Sequence, residues 1–528
     1  MKKFQKKQLL HWQNIVITVI VLGSAFLMFY KVDMTAIVGF DQGNHLNPVA
    51  DSIRNKNILF QGPAALEKGG YKAYLGPFYY YLLAIPLLLT DLNALSASYF
   101  SGILALISVV YSYYLVKKIF DSSAKGIIVA FILAFTYKFT AMGRGFTNPF
   151  YLLPFLLMLM DSVWTISQNK KVHWGWWAFF GFSLSATLQI HSSSFLLILP
   201  IFIYLFWKKS YYQGIKNWLI ALAIFLALYS PYIFYQATHD LADIRQYYGA
   251  LVKAEDPSTV ENLGLMASVE RVTTSLDVSM QSFIRWGNGE RKLSITIGWV
   301  IALITTIIFT FFGRKKLKDW YLFSTLWVLL FLVSSGLFRF PLWDYYFIAI
   351  YPMLFITLAD ILGYLISKTK IWGTVVLIIV GGYYIYSNSQ PIFNEIHQGE
   401  IRATHDPVQP SDLLYIDLRN LANYIVEDAQ GQPVQINVCY KYFYPGCFSY
   451  QPAYDFLFKW NKKLDWRDSA DIIYFIRNPK DVGNCQPNDP NLKLVSSQDF
   501  ISVGVDKYTK LTNNSKLITN NHNLKLFN

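Results

Sequence analysis

The stretch IVITVIVLGSAFLMFY, Ile15–Tyr30, decides the class of fold. It holds no charged residue, and as an α-helix it approaches the roughly 20 apolar residues that cross a bilayer's hydrocarbon core. Lys2, Lys3, Lys6 and Lys7 precede it, and no small-residue cleavage site clearly follows it. The block therefore reads as a retained helix rather than a removed signal. Ser294–Phe312 and Trp372–Tyr386 are uncharged in the same way. With 54% of its 528 residues hydrophobic and 15% charged, the chain is too apolar for a soluble protein of this length. The net charge of +13 does not point to nucleic acid, because most basic residues of the membrane half fall in short loops between apolar blocks.

Working outward, the pattern predicts an α-helical polytopic membrane domain over 1–388. Its eleven expected spans lie near 13–30, 95–116, 126–142, 148–166, 174–190, 193–207, 217–236, 294–312, 320–337, 344–366 and 371–388. With the N-terminus cytoplasmic, the inner loops collect Lys117, Lys118, Lys125, Lys170, Lys171, Lys208, Lys209, Lys216, Arg314, Lys315, Lys316, Lys318, Lys368 and Lys370. The three shortest outer loops hold only Arg144 and Arg339, a bias that obeys the positive-inside rule. Gly76–Thr90 is apolar but short and interrupted by Pro86, so it is expected to lie on the outer surface as an interfacial or re-entrant helix. The outer face then owns a first loop over 31–94, a second over 237–293, and the polar tail 389–528.

The tail reads as a small extracytoplasmic α/β domain: an amphipathic helix over Leu413–Asp428 and strands over Val434–Tyr440, Asp471–Ile476 and Ile501–Val505. Cys439, Cys447 and Cys485 would face an oxidising space, where one disulfide and one spare thiol are allowed and the pairing stays open.

The first outer loop begins with Gly39-Phe40-Asp41-Gln42-Gly43-Asn44-His45, just past the first span. Asp41 is a carboxylate above the bilayer surface, where the neighbouring low dielectric would raise its pKa and suit it to take a proton from an attacking hydroxyl. A solvated loop aspartate is the alternative. His45 either assists Asp41 or is a surface histidine. For a phosphate, Arg144 at the outer end of the third span, Lys138 two turns before it, and Arg339 are the cationic candidates. Lys138 can instead snorkel to the interface. His191 lies at an outer turn, as a substrate contact or a helix cap. Asp344 and Tyr345 open a span, where Asp344 caps the helix or meets substrate. Tyr79, Tyr80 and Tyr81 stack on a sugar or form an interfacial belt. No His/Cys/Asp set has structural-metal spacing.

Several strings resemble the GT-C glycosyltransferases, in the bacterial branch related to protein mannosyltransferases (glycosyltransferase family 39-like) and lipid A aminoarabinose transferases. They are FDQGNHLNPVADSIRNKNILFQGP at 40–63, GPFYYYLLAIPLLL at 76–89, FTNPFYLLPF at 146–155, QIHSSSFLLILP at 189–200 and WDYYFIAIYP at 343–352. The tail carries no such string. The resemblance implies a polyprenyl-phosphate sugar donor reached through membrane lipid, a lipid, glycan or protein acceptor, an outward-facing cavity and inversion at the anomeric carbon. It also implies a bacterial plasma membrane, and a first-loop acid, here Asp41, that acts as base or organises the acceptor. It favours a substrate-facing His191. Many relatives follow the aspartate with glutamate where this chain has Gln42, which argues against a mechanism built on two adjacent carboxylates. Gln42 stays among the substrate contacts, and a divalent metal is left open. A transporter or lipid flippase would show internal repeats and polar groups at mid-membrane, neither of which the sequence displays. A non-catalytic envelope-assembly protein is the third reading.

Overall fold

The computed structural model of the chain describes residues 2–68, 71–252, 269–270, 272–274, 276–277, 304, 307–308, 310, 315–336, 344–404, 415–438, 456–458, 463–467, 469–477, 491–499 and 504–510. The chain divides into two compact units, Met1–Ile37 with Asn44–Gln398, and Val38–Gly43 with Gly399–Asn528.

The first unit is helical. In chain order it contains α1 (Lys2–Phe29), α2 (Phe40–Asn55, whose first turn belongs to the second unit), a hairpin of β1 (Ala64–Lys68) and β2 (Tyr71–Tyr74), α3 (Phe78–Leu89) and α4 (Leu95–Phe120). Then follow α5 (Ser123–Phe135), α6 (Tyr137–Arg144), α7 (Leu152–Gln168), α8 (Trp174–Ile190), α9 (Ile198–Trp207), α10 (Ile215–Thr238), α11 (Ala242–Val252), α12 (Lys315–Gly336) and the run α13 (Tyr351–Thr404). Among the described residues, seven helices are long and apolar enough to cross a membrane, and eight if the bent pair α5–α6 counts as one span. This is an integral membrane protein. Of the other expected spans, 174–190 forms a helix of 17 residues and Ser192–Trp207 a shorter apolar one. The expected span 294–312 lies almost wholly outside the described residues. The α3 helix, at 12 residues, is about 18 Å long and falls short of the ~30 Å hydrocarbon core.

The α13 run is not one rod. Phe355 packs on Phe139 with ring centroids 5.9 Å apart, and Ile392 and Ile396 pack on Tyr137, two residues from Phe139. In a straight helix Phe355 and Ile392 would stand about 55 Å apart. The chain therefore folds back, and Gly373 marks the place. A Cβ there would lie 3.1 Å from the Ile366 Cα, an approach that glycine permits. Two spans, Tyr351–Thr369 and Ile371–Gln398, thus share one hydrogen-bonded run, with Lys368 and Lys370 at the bend.

The α5–α6 bend of 58° has a local cause. Thr136 is extended, and its hydroxyl bonds the Ile132 carbonyl at 2.6 Å and the Tyr384 hydroxyl at 2.8 Å. Next along the chain, the Tyr137 N–H leaves the helix ladder for Asn388 Oδ1 at 3.1 Å.

Acidic residues inside apolar helices are neutralised at the lysine-rich ends. Asp161 takes Lys118 at 2.7 Å and the Tyr111 hydroxyl at 2.7 Å, while Asp319 pairs with Lys208 at 2.8 Å. Asp360 pairs with Lys125 and accepts from the Tyr321 hydroxyl at 2.6 Å. An acidic side chain within an apolar bundle is costly unless it is paired in this way.

The second unit holds α14 (Tyr415–Ala429) and a sheet of β3 (Val434–Val438), β4 (Ile472–Arg477), β5 (Leu492–Asp499) and β6 (Gly504–Lys510) in the order β3-β4-β6-β5. β3 and β4 run parallel, and the other pairs are antiparallel. The α14 helix buries Ile416, Leu418, Leu421, Ala422, Ile425 and Ala429 on its apolar side. Of the expected third strand, Ile501–Val505, the first three residues lie outside the described residues, and Gly504 and Val505 belong to β6. β5 had no alternating signal because nearly its whole length is exposed. Cys439, Cys447 and Cys485 lie outside the described residues.

Candidate active site

Asp41 is the second residue of α2 and is exposed. Two residues upstream, the Gly39 N–H donates to Gln42 Oε1 at 3.0 Å. This is one half of a capping box, in which the third helical residue reaches back to the cap position. Gln42, expected to meet substrate, has its side-chain oxygen occupied in starting the helix. Glycine at the cap and glutamine three residues on were the sequence signal for it. The Asp41 side chain is exposed in the first turn of α2, the end of the helix that carries partial positive charge.

His45, one turn on, is buried and not at the surface. Its Nδ1 lies 3.3 Å from the Tyr79 hydroxyl, and the ring meets Tyr79 edge-on at 5.1 Å. Tyr79 and Tyr80 are core residues beneath the first loop, so the aromatic-belt reading fails for both.

Arg144 is almost fully buried at the end of α6. Its Nη1 donates to the carbonyls of Leu27 at 2.7 Å and Tyr30 at 2.9 Å. Nη2 donates to the Lys31 carbonyl at 3.1 Å and Thr35 Oγ1 at 2.7 Å, and Nε donates to the same hydroxyl at 2.9 Å. All five N–H groups are thereby used, mostly on carbonyls that the end of α1 leaves without helical partners. The expected phosphate contact would require Arg144 to give up part of this cap. Lys138 sits half-buried in α6 and makes an interaction of its own. Arg339 lies outside the described residues, as does the side chain of Asp344.

His191 joins α8 to the 3-10 turn Ser192–Leu197 that leads into α9. Its Nδ1 accepts the Ser193 N–H at 3.2 Å, the geometry of a cap. Tyr345 and Tyr346 stand edge-on to the ring at 5.6 and 5.0 Å. Among the expected contacts of the first unit, His191 and Tyr345 are thus brought together.

Burial pushes both His45 and His191 down to about 3. Both rings are neutral in the folded chain, whereas in the unfolded chain they protonate below about pH 6.5. Between those values the unfolded state binds more protons. Each histidine then removes about 1.4 kcal/mol of stability for every pH unit of fall, and its contribution is complete above about pH 6.5. The melting temperature in detergent is expected to be flat from pH 8 to 7 and to drop below pH 6. His45→Gln should make that drop shallower.

The sequence gave no sign of Asp243. This buried carboxylate in the first turn of α11 accepts from Gln236 Nε2 at 2.6 Å, Gln61 Nε2 at 3.0 Å and the Tyr74 N–H at 3.3 Å. It ties α11 and the end of α10 to the β1–β2 hairpin. Asp243→Asn turns an acceptor into a donor against three donors. It should cost about 2–3 kcal/mol, seen as a lower melting temperature and faster amide exchange over 61–74.

Among the described residues no group of three His, Cys, Asp or Glu could hold a metal ion. Residues 75–235 match the family model "Dolichyl-phosphate-mannose-protein mannosyltransferase". The fold is similar to that of ArnT from Cupriavidus metallidurans bound to undecaprenyl phosphate. That comparison has a TM-score of 0.58 at 11% identity, over 94% of this chain and 98% of that one. The apo state of the same protein gives a TM-score of 0.59 at 10% identity, over 95% and 98%.

The segment that matches the mannosyltransferase model begins just after β2 and ends within α10, so it includes His191, Arg144 and the buried tyrosines of α3. No curated protein sequence matches the chain.

Proposed function

We propose that this protein transfers a sugar from a polyprenyl-phosphate donor to an acceptor hydroxyl on the outer face of a bacterial plasma membrane. The observation that carries the reading is Asp41, an exposed carboxylate in the first turn of the helix that follows the first span. The acceptor oxygen attacks the anomeric carbon, its proton passes to Asp41, and the bond from that carbon to the phosphate oxygen breaks on the opposite side. The configuration inverts and polyprenyl phosphate leaves. Lys138 and Arg339 are the cations for the leaving phosphate, while Arg144 holds the end of α1. The fold shared with a protein solved with undecaprenyl phosphate supports a lipid-phosphate donor. The lysine bias of the loops supports the orientation.

The test is direct. The purified full chain in lipid nanodiscs is supplied with polyprenyl-phosphate pentoses and hexoses, and release of polyprenyl phosphate is followed alongside mass analysis of envelope glycans in cells with and without the protein. Loss of one glycan species and sugar-dependent release support the reading. A cysteine placed beside Asp41 that labels only from the cytoplasm overturns it.

A further inference from the structure

The turn between α8 and α9 leaves polar atoms over. Gln189 Oε1 and Ser194 Oγ are buried without a hydrogen-bond partner. His191, 4% exposed, uses Nδ1 alone: it accepts the Ser193 N–H at 3.2 Å and lies 2.8 Å from Ser193 Oγ. A backbone N–H can only donate, so Nδ1 is the bare nitrogen of a neutral ring and Nε2 carries the hydrogen. Tyr345 and Tyr346 pack beside each other and nearly perpendicular to the ring, at interplanar angles of 84° and 82°. Gly76 lets Gln189 lie this close, since a Cβ on Gly76 would fall 2.2 Å from Oε1. Unpartnered buried polar atoms are costly and uncommon, yet two of them flank the histidine on one short turn.

We propose that Gln189, His191 and Ser194 form the subsite for hydroxyl groups of the transferred sugar, with His191 Nε2–H as its fixed donor. All three groups are uncharged. A phosphate calls for cations, whereas sugar hydroxyls both donate and accept. They match one N–H donor, one carbonyl acceptor and one hydroxyl that does both. Tyr345 and Tyr346 add two aromatic rings beside His191. The inference rests on the glycosyl-transfer reading and assigns it a sugar-recognising residue.

His191→Asn separates the two duties of the side chain. Asparagine still accepts the Ser193 N–H as a cap but does not extend to the Nε2 position. In the full chain in nanodiscs, the variant should melt like the wild type and bind sugar-free undecaprenyl phosphate equally well. Its kcat/KM for the polyprenyl-phosphate sugar should fall about 10- to 100-fold. Unchanged kcat/KM, or an equal loss of undecaprenyl phosphate binding, overturns the subsite. Nitrogen-15 spectra of histidine-labelled chain give a reading that needs no transfer: the His191 signals should show a bare Nδ1 and a protonated Nε2 from pH 5 to 8, shifting on addition of methyl glycosides. An Nδ1–H tautomer, or no shift with any glycoside, also overturns it. Absence of transfer in the wild type, with the tautomer and shift present, counts against the donor chemistry and leaves the sugar subsite standing.

Discussion

Asp41→Asn is expected to lower sugar transfer by about two to four orders of magnitude while the protein folds and melts as before. The side chain is exposed, and the swap keeps its shape, so little packing is lost. The cap that starts α2 runs through Gln42 and the Gly39 N–H. What disappears is the only group in that turn able to take a proton from the acceptor. The measurement is the single-turnover rate in nanodiscs beside a melting curve. Full activity in the variant removes Asp41 from the mechanism. A lost fold would make it structural.

Arg144→Gln is expected to cost about 3–5 kcal/mol of stability, the largest such effect in the first unit. Five charge-assisted donations to Leu27, Tyr30, Lys31 and twice to Thr35 vanish together. The buried Leu27 carbonyl at the end of α1 loses its Arg144 donor. Arg144→Lys, with three donors in place of five, should fall between. These residues lead the chain out of α1 toward Asp41, so transfer should fall along with stability. Chemical denaturation and expression level check the first effect. If Arg144 instead clamps phosphate, the glutamine variant would keep its stability and only raise KM for the lipid donor.

The two cases show where reading the chain reached and where it stopped. Ile15–Tyr30 and Trp372–Tyr386 are legible as spans because hydrophobic length alone decides whether a segment can cross a bilayer. Arg144 was legible as unusual, a cation at the end of an apolar helix. Its partners were not, since they lie more than a hundred residues earlier in the chain. The same distance hid the cage around Asp243, whose donors include Gln61 Nε2 and the Tyr74 N–H. His45 was open to reading as a surface histidine because its ring partners Tyr79 and Tyr80 lie more than thirty residues further along the chain. The hairpin β1–β2 escaped for a similar reason: two short strands take their stability from α11, not from their own pattern.

By itself the sequence determined that this is a polytopic membrane protein with an acidic residue just past its first span and a polar α/β tail. Those properties follow from local composition and spacing, which a linear reading contains. The tertiary structure alone decided that α13 doubles back at Gly373, that α5 and α6 bend apart at Thr136, and that Arg144 closes the end of α1. The first depends on apolar side chains meeting α6 from both arms of the run, and the other two on hydrogen-bonding groups finding partners far away in the chain, because a buried N–H or C=O must be satisfied wherever the fold can satisfy it.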